Sequence, residues 1–184
     1  KRLQVEFSTQ LHLLERKAKN GLGRAYIAGF NWALASAYEY IYEMDADFSH
    51  NPNDLLRLYE ACSQGGADVA IGSRYVTGVN VVNWPMSRVL MSYFASKYVR
   101  FVTGLAIADT TAGFKCYKRA VLETIELDKI KFVGYAFQIE MKFTAFKCGF
   151  NIKEVSVIFI NRELGTSKMS GKIFREAVIG VLQL

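Results

Sequence analysis

The stretch Glu43-Met44-Asp45-Ala46-Asp47-Phe48-Ser49-His50 places two aspartates directly after a run that is typical of a β-strand. That run, Tyr38-Glu39-Tyr40-Ile41-Tyr42, is short and rich in aromatic and β-branched residues. Because side chains alternate along a strand, Asp45 and Asp47 should point the same way at its carboxyl end, where α/β sheets bind ligands. Two carboxylates directed at one point repel each other unless a cation lies between them. The stretch favours a Mg²⁺ or Mn²⁺ site that also holds a phosphate. An acidic turn that caps the next helix is the alternative.

The composition limits the class of protein. The 184 residues suffice for one domain with a core, and a hydrophobic fraction of 51% argues against disorder. A formal net charge of +6 favours an anionic partner: a nucleotide, a lipid phosphate, a membrane surface or a nucleic acid. Three cysteines without a Cys-x-x-Cys pair argue against a zinc ribbon. No stretch reaches the roughly 18 apolar residues of a transmembrane helix.

The order of predicted elements indicates an α/β domain. Strands are predicted near residues 11–15, 38–44, 67–72, 114–117 and 152–160. Helices are predicted near residues 21–37, 51–61, 85–103, 120–125 and 137–148, and from about residue 169 onward. This alternation predicts a mostly parallel, doubly wound sheet flanked by helices. The last helix carries basic residues beside an apolar face, which indicates contact either with its own domain or with anionic lipid.

Several residues at predicted strand ends and helix starts suit phosphate. Lys17 and the Gly21-Leu22-Gly23 turn precede a helix, whose N-terminus favours an anion. Arg74 ends a strand and should lie at the same rim as the aspartates. Arg88 and Ser92 are four residues apart and so share one face of a helix. An ordinary strand–helix turn and solvated surface arginines are the alternatives.

Two further regions carry candidate charged groups. Arg162 and Lys168 lie in a loop after the last strand and could close over a diphosphate; a solvated loop is the alternative. Asp109 precedes a Thr-Thr-Ala-Gly loop that could shape a sugar pocket or form a simple turn. Glu140 lies in an apolar helix, where a carboxylate has either a functional role or a structural ion pair.

Taken in order, these motifs resemble those of the family 2 glycosyltransferases of the GT-A fold, and among them the polyprenyl-phosphate (dolichol-phosphate) mannose synthases. They span nearly the whole chain. The matching residues are Gly21-Leu22-Gly23-x-Ala25-Tyr26, Met44-Asp45-Ala46-Asp47-x-Ser49-His50, Ile71-Gly72-Ser73-Arg74-Tyr75, Asn83-Trp84-Pro85 with Arg88, Thr111-Ala112-Gly113-Phe114, Phe137-Gln138-x-Glu140-Met141, and Arg162 with Gly165-x-Ser167-Lys168.

The resemblance implies a catalytic domain over residues 1–184 that transfers mannose from GDP-mannose to a polyprenyl (dolichyl) phosphate with inversion. It places Mg²⁺ or Mn²⁺ and the donor diphosphate at Asp45 and Asp47, with Arg162 and Lys168 clamping the diphosphate. The positions that match the lipid-phosphate site are Arg74, Arg88 and Ser92. The resemblance also implies a cytoplasmic protein that contacts the membrane peripherally. A nucleic-acid partner is not expected, because the basic residues are dispersed among the predicted helices and no RNA-binding aromatic motif occurs.

One departure from the family pattern concerns the start of the domain. Relatives begin with a Pro-x-Tyr-Asn-Glu strand and a strand ending in Asp-Gly-Ser, which hold the base and ribose. Neither occurs in this sequence, so we expect an N-terminally incomplete domain whose sheet lacks its first strands. A polyprenyl-phosphate glucosyltransferase therefore stays an alternative, as does a basic anion-binding module without catalysis.

A polysaccharide glycosyltransferase is a further alternative, and it differs from a lipid-phosphate glycosyltransferase in the group that accepts the sugar. A sugar hydroxyl needs a carboxylate base, for which Glu140 and Asp109 are the candidates. A phosphate monoester has a second pKa near ~6, so it is already ionised and needs no base.

Overall fold

A four-stranded sheet lies at the centre of the structure, a computed structural model that describes residues 2–18, 20–161 and 178–184. In chain order the strands are β1 (Tyr40–Glu43), β2 (Val69–Ser73), β3 (Val81–Val82), β4 (Lys115–Lys118), β5 (Ile152–Ser156) and β6 (Phe159–Ile160). The α-helices are α1 (Arg2–Glu6), α2 (Leu22–Leu34), α3 (Asp54–Ser63), α4 (Met86–Thr103), α5 (Arg119–Thr124) and α6 (Ala136–Lys147). A 3₁₀ turn spans Leu127–Lys129, and residues 178–181 are helical.

The sheet has the order β1-β4-β2-β5 and is mixed. β1, β2 and β5 run in one direction, as predicted, because β2 pairs in parallel with β5 and both β1 and β2 pair antiparallel with β4. The register brings Ile41 opposite Tyr117 and Ala70 opposite Cys116. β3 and β6 form a separate two-stranded parallel pair. The predicted α/β architecture is confirmed, and within the four-stranded sheet β4 is the reversed strand.

Alternating side chains give the sheet two different apolar faces. Ile41, Ile71 and Tyr117 belong to one buried cluster, which α2, α4, α5 and α6 cover. Ala70 and Cys116 point to the opposite face, where α3 packs on them. The loops at the ends of β1 and β2 therefore emerge between these two layers.

One strand prediction is wrong. Residues 11–15 form no strand and join neither sheet of the described chain. Leu13 and Leu14 are about half exposed, and the ring of His12 lies tilted against that of Trp32 with ring centroids 4.9 Å apart. An apolar run satisfies strand propensity, but it forms a strand only where a neighbouring edge supplies backbone partners. The predicted C-terminal helix lies mostly outside the described residues. No helix in the described ranges is long and apolar enough to cross a membrane.

Helix α2 packs closely against α6 and the segment before it, and two glycines permit this approach. A Cβ on Gly23 would lie 2.7 Å from the carbonyl oxygen of Phe132 and 2.8 Å from the ring of Phe137. Gly21 has φ +94°, and a Cβ there would lie 2.8 Å from the carbonyl oxygen of Val133. The amide of Gly23 donates to that same carbonyl at 2.9 Å. Both glycines thus fix the position of α2 on the domain.

We expect Gly23→Ala to lower the free energy of unfolding by about 1–3 kcal/mol, because the added methyl group meets backbone that cannot move aside. Gly29→Ala is the matched control in the same helix, since nothing lies within 4 Å of its Cβ position. That control should raise the free energy of unfolding by about 0.5–1 kcal/mol through helix propensity. Urea unfolding measures both, and equal effects would contradict the close-packing account.

Candidate active site

Asp45 and Asp47 lie in the loop that follows β1, with Asp45 exposed and Asp47 partly buried. Oδ1 of Asp45 accepts a hydrogen bond from the hydroxyl of Tyr26 at 3.1 Å. Oδ1 of Asp47 accepts from both the amide and the hydroxyl of Ser49. β1 already ends at Glu43, so strand alternation does not extend to the two aspartates. Local hydrogen bonds, rather than the strand, set the direction of each carboxylate.

The charges of Asp45 and Asp47 affect the pKa values of two neighbouring side chains, Tyr26 and His50. Burial raises the pKa of Tyr26 well above its usual value, and the charges of Asp45, Glu43 and Asp47 raise it further. Burial lowers the pKa of His50, although Asp45 and Asp47 oppose this shift. Tyr26 is therefore a protonated donor and His50 is neutral at pH 7. These shared influences place the two carboxylates in one small region.

The donor set of this region fits a hard divalent cation. Carboxylate oxygens are the ligands that Mg²⁺ and Mn²⁺ prefer. Within the described ranges, no group of three or more His, Cys, Asp or Glu side chains forms a complete metal cage. Mg²⁺ is commonly bound by only one or two carboxylates, and it takes its other ligands from substrate phosphates and water. Asp45 and Asp47 suit that kind of site.

Arg74 is held at the end of β2 by a buried, bidentate ion pair. Its Nε and Nη2 donate to the two oxygens of Asp109 at 2.6 and 2.7 Å, and its backbone amide donates to Oδ2 at 3.0 Å. Nη2 also donates to the hydroxyl of Thr111 at 2.8 Å. Burial alone would raise the pKa of Asp109, but the Arg74 charge and hydrogen bonds outweigh it and hold that pKa below its usual range. The guanidinium is thus fixed in one orientation.

The loop of residues 108–113, which carries Asp109, is itself fixed by two charged side chains. The fully buried Lys142 of α6 donates to three backbone carbonyls, two of them in this loop at 2.9 and 2.7 Å. Glu154 of β5 accepts hydrogen bonds from the first two amides of the loop at 2.6 and 2.8 Å. Burial, and then the charge of Lys115, lowers the pKa of Lys142 well below its usual value. Few loop positions are left free to move.

A second buried ion pair supports the end of β1. Nζ of Lys115 lies 2.7 Å from Oε1 of Glu43, and both side chains are fully buried. Lys115 also donates to the side-chain oxygen of Gln138, and the hydroxyl of Tyr117 donates to Oε2 of Glu43 at 3.4 Å. Burial lowers the pKa of Lys115, with Glu43 opposing the shift. The pair connects β1, just before the aspartates, to β4 and α6.

A cavity of about 450 Å³ brings together the three residues predicted to bind a lipid phosphate: Arg74, Arg88 and Ser92. The guanidinium carbons of the two arginines lie 5.4 and 3.9 Å from the ring centre of Trp84, so both cations share one end of the cavity. Arg88 also donates to the side-chain oxygen of Asn161 at 2.9 Å. The rest of the wall is mainly apolar and includes Met91, Phe94, Ala95, Val99, Ile139 and Val181.

The two candidate base residues are both engaged in structural contacts. Asp109 is fully buried in its ion pair with Arg74. Glu140 is buried, and its carboxylate accepts hydrogen bonds from the backbone amides of Lys131 and Phe132 at 3.0 and 2.8 Å. These contacts hold the segment on which α2 rests. Neither carboxylate is presented to a substrate hydroxyl.

Lys17, Gly21 and Gly23, which were also predicted to bind phosphate, do not line this cavity. Lys17 is exposed in the irregular segment before α2. The close packing of Gly21 and Gly23 accounts for both glycines without a ligand, so their anion-binding role stays a prediction. Arg162 and Lys168 lie outside the described residues, and so does the predicted basic face of the last helix.

Several residues that shape the site were not predicted from the sequence. Tyr26 and Trp84 lie within motifs that match the family 2 glycosyltransferases, and this was the one feature of the sequence that could have indicated a role for them. Nothing in the sequence marked Lys115 or Lys142, because a lysine is expected to be exposed. Only the fold shows the hydrogen-bond acceptors that surround each of them.

Asp109→Asn should lower the free energy of unfolding by about 3–5 kcal/mol at pH 7, because Arg74 then stays buried without its charged partner. The pKa of Asp109 is lowered by folding, so its contribution is complete above about pH 4 and is lost as the pH falls through the folded pKa. The difference from wild type should therefore shrink as the pH is lowered towards 3 in urea unfolding experiments.

The control for this prediction is Asp128→Asn, at an exposed position, which should change stability by less than about 0.5 kcal/mol. An Asp109→Asn difference that stays constant between pH 7 and pH 3 would contradict the ion-pair account.

The chain is similar to proteins of known family. The profile of Glycosyl transferase family 2 matches residues 2–126. The chain is 48% identical over 174 residues to the polyprenol monophosphomannose synthase of Mycolicibacterium smegmatis, covering 95% of this chain and 65% of that relative. It is 49% identical over 171 residues to the undecaprenyl-phosphate mannosyltransferase of Micrococcus luteus, covering 93% and 70%. The chain thus spans about two thirds of the length of these curated relatives.

Solved structures show the same fold. Two structures of glucosyl-3-phosphoglycerate synthase from Mycobacterium tuberculosis, in complex with phosphoglyceric acid and with uridine diphosphate, match with TM-scores of 0.60 and 0.55. Their sequence identities are 13% and 12%, and the matches cover 93% and 95% of this chain and 56% and 57% of theirs. This likeness confirms the predicted GT-A-type α/β fold. The family match over residues 2–126, more than half of the chain, shows that the chain belongs to glycosyl transferase family 2.

Proposed function

We propose that the protein transfers mannose from GDP-mannose to a polyprenyl phosphate, with a divalent cation at Asp45 and Asp47. The observation that carries the proposal is the cavity in which two arginines share one end of a mainly apolar wall. A ligand that fits such a cavity has an anionic head and a hydrocarbon tail. The names of the two bacterial relatives, a polyprenol monophosphomannose synthase and an undecaprenyl-phosphate mannosyltransferase, support the same chemistry.

The acceptor phosphate would lie against Arg74, Arg88 and Ser92. Planar guanidinium groups bind phosphate oxygens through charge-assisted hydrogen bonds, and the Asp109 pair holds the Arg74 guanidinium in place before substrate arrives. The first isoprenoid units would follow the apolar wall formed by α4 and α6. A polysaccharide acceptor is disfavoured, because its hydroxyls would find few polar partners in this cavity, and because the two candidate bases, Asp109 and Glu140, are engaged in structural contacts.

The donor diphosphate would lie at the loop after β1. Asp45 and Asp47 would hold a Mg²⁺ or Mn²⁺ ion there, which supplies positive charge to the departing nucleoside diphosphate. Arg162 and Lys168 are proposed to add charge from the chain after β6. Mannose is favoured over glucose by the names of the relatives, and guanine over uracil by the family resemblance alone.

In the proposed reaction, the acceptor phosphate is the nucleophile and the donor diphosphate is the leaving group. An oxygen of the acceptor phosphate attacks the anomeric carbon, and the bond from that carbon to the diphosphate oxygen breaks on the opposite face. An α-linked donor therefore gives a β-linked mannosyl phosphate lipid. The attacking phosphate is already ionised near pH 7, so no proton has to be removed. The chain's own contribution is to hold the phosphate in line and to exclude water from the cavity.

Contact with a membrane surface is proposed for helix α4. Its residues Met86, Leu90, Phe94 and Phe101 are 47–90% exposed, and their spacing places them on one face of the helix. Phe94 also lines the cavity, so this apolar face adjoins the proposed lipid site. A polyprenyl phosphate resides in a bilayer, and a peripheral enzyme on the cytoplasmic side would reach its phosphate from this face.

The proposed function is tested by a transfer assay with the full-length protein, detergent-solubilised polyprenyl phosphate, and radiolabelled GDP-mannose or UDP-glucose. We expect an organic-extractable labelled product from GDP-mannose with Mn²⁺, and none when EDTA is present. Asp45→Asn should reduce the rate at least a hundredfold, because the cation then loses a charged ligand. Absence of any lipid-linked product from wild type would contradict the proposal, and a product from UDP-glucose alone would replace mannose by glucose.

A further inference from the structure

We propose that Tyr26 is a positioning residue that holds Oδ1 of Asp45 and thereby directs Oδ2 towards the divalent cation. This inference rests on the proposed function, in which Asp45 is a ligand of that cation. Tyr26 itself touches neither substrate nor metal in this account. It acts through the carboxylate, in the way that hydrogen-bonded neighbours orient metal ligands in other sites.

Asp45 needs such support because little else restrains it. The residue is exposed, and it follows the last residue of β1 by two positions. Within the described ranges, the Tyr26 hydroxyl at 3.1 Å is the one hydrogen-bond partner of its side chain. An exposed carboxylate without that bond samples several rotamers, and binding a cation would then require one of them to be selected.

Tyr26 is suited to this task because its own ring is fixed. The ring lies parallel to that of Phe137, at an interplanar angle of 2° and a centroid distance of 6.0 Å. Phe30, one turn along the same helix, stacks against it at 6.2 Å. The close approach of Gly23 to Phe137 sets the distance between the two helices. The packing of the ring therefore fixes the position of the hydroxyl that contacts Asp45.

The two aspartates are supported in different ways. Asp47 is held by Ser49, two residues away in the same loop. Asp45 is held from helix α2, 19 residues earlier in the chain. The Tyr26 bond thus links the loop after β1 to helix α2 through Asp45. Its loss should loosen one cation ligand while leaving the loop's local hydrogen bonds intact.

The test compares Tyr26→Phe with Tyr42→Phe. The first change removes the hydroxyl that contacts Asp45 and keeps the stacked ring. The second removes a hydroxyl that donates at the same distance, 3.1 Å, to the backbone carbonyl of Leu55 on the other side of β1. Mn²⁺ binding to the full-length protein in the presence of GDP is measured by electron paramagnetic resonance of free Mn²⁺, and the stability of each variant by urea unfolding.

We expect Tyr26→Phe to weaken Mn²⁺ binding about tenfold, within the range found for residues that orient metal ligands. Tyr42→Phe should leave Mn²⁺ binding within twofold of wild type, and the KM for the lipid acceptor should not change in either variant. Wild-type Mn²⁺ affinity in Tyr26→Phe, with binding lost in Asp45→Asn, would overturn this inference alone. Equal weakening in both tyrosine variants would overturn it as well. Unchanged binding in Asp45→Asn would refute the proposed metal site and this inference together.

Discussion

The buried ion pair between Arg74 and Asp109 is the contact on which the charged end of the cavity depends. A guanidinium keeps its charge in any protein environment, so its burial requires a partner of opposite charge and matched geometry. The bidentate contact supplies that partner and joins the end of β2 to the loop of residues 108–113. Lys142 and Glu154 fix that loop in turn. The cavity thus has a preformed cationic end, and substrate binding need not order it.

The aspartate loop and the arginine-lined cavity are neighbours rather than one site. His50 and Phe159 meet edge to face with ring centroids 5.0 Å apart, and Phe159 and Trp84 do the same at 5.3 Å, so aromatic rings connect the two regions. The pKa of His50 responds to burial first and then to Asp45 and Arg74, which places it between opposite charges. A diphosphate bound at the aspartate loop and a phosphate monoester bound in the cavity would therefore lie close to each other. Such an arrangement favours direct transfer between two anions that would otherwise repel each other.

Local patterns predicted most of the helices and strands, because those features depend on residues that are close in sequence. The reversed direction of β4 depends on pairing between β1, β2 and β4, which no local pattern encodes. The failed strand at residues 11–15 has the same cause, since its leucines have suitable propensity but no neighbouring edge. The sequence singled out Arg74, Arg88 and Ser92, and the fold brings them to one cavity. The roles of Lys115 and Lys142 could not be predicted, because their hydrogen-bond acceptors come from segments that are distant in the sequence.

The central claim is that the protein binds two anions at separate places, one through a cation and one through arginines. The most direct measurement is calorimetric binding of GDP and of farnesyl phosphate to wild type, Asp45→Asn and Arg88→Ala, each with and without Mn²⁺. The account predicts that GDP binding requires Mn²⁺ and Asp45 but not Arg88. Farnesyl phosphate binding should be independent of Mn²⁺ and Asp45, and it should weaken about tenfold or more in Arg88→Ala, as expected for loss of a charged hydrogen bond. Competition between the two ligands, or a common dependence on Mn²⁺, would contradict the account.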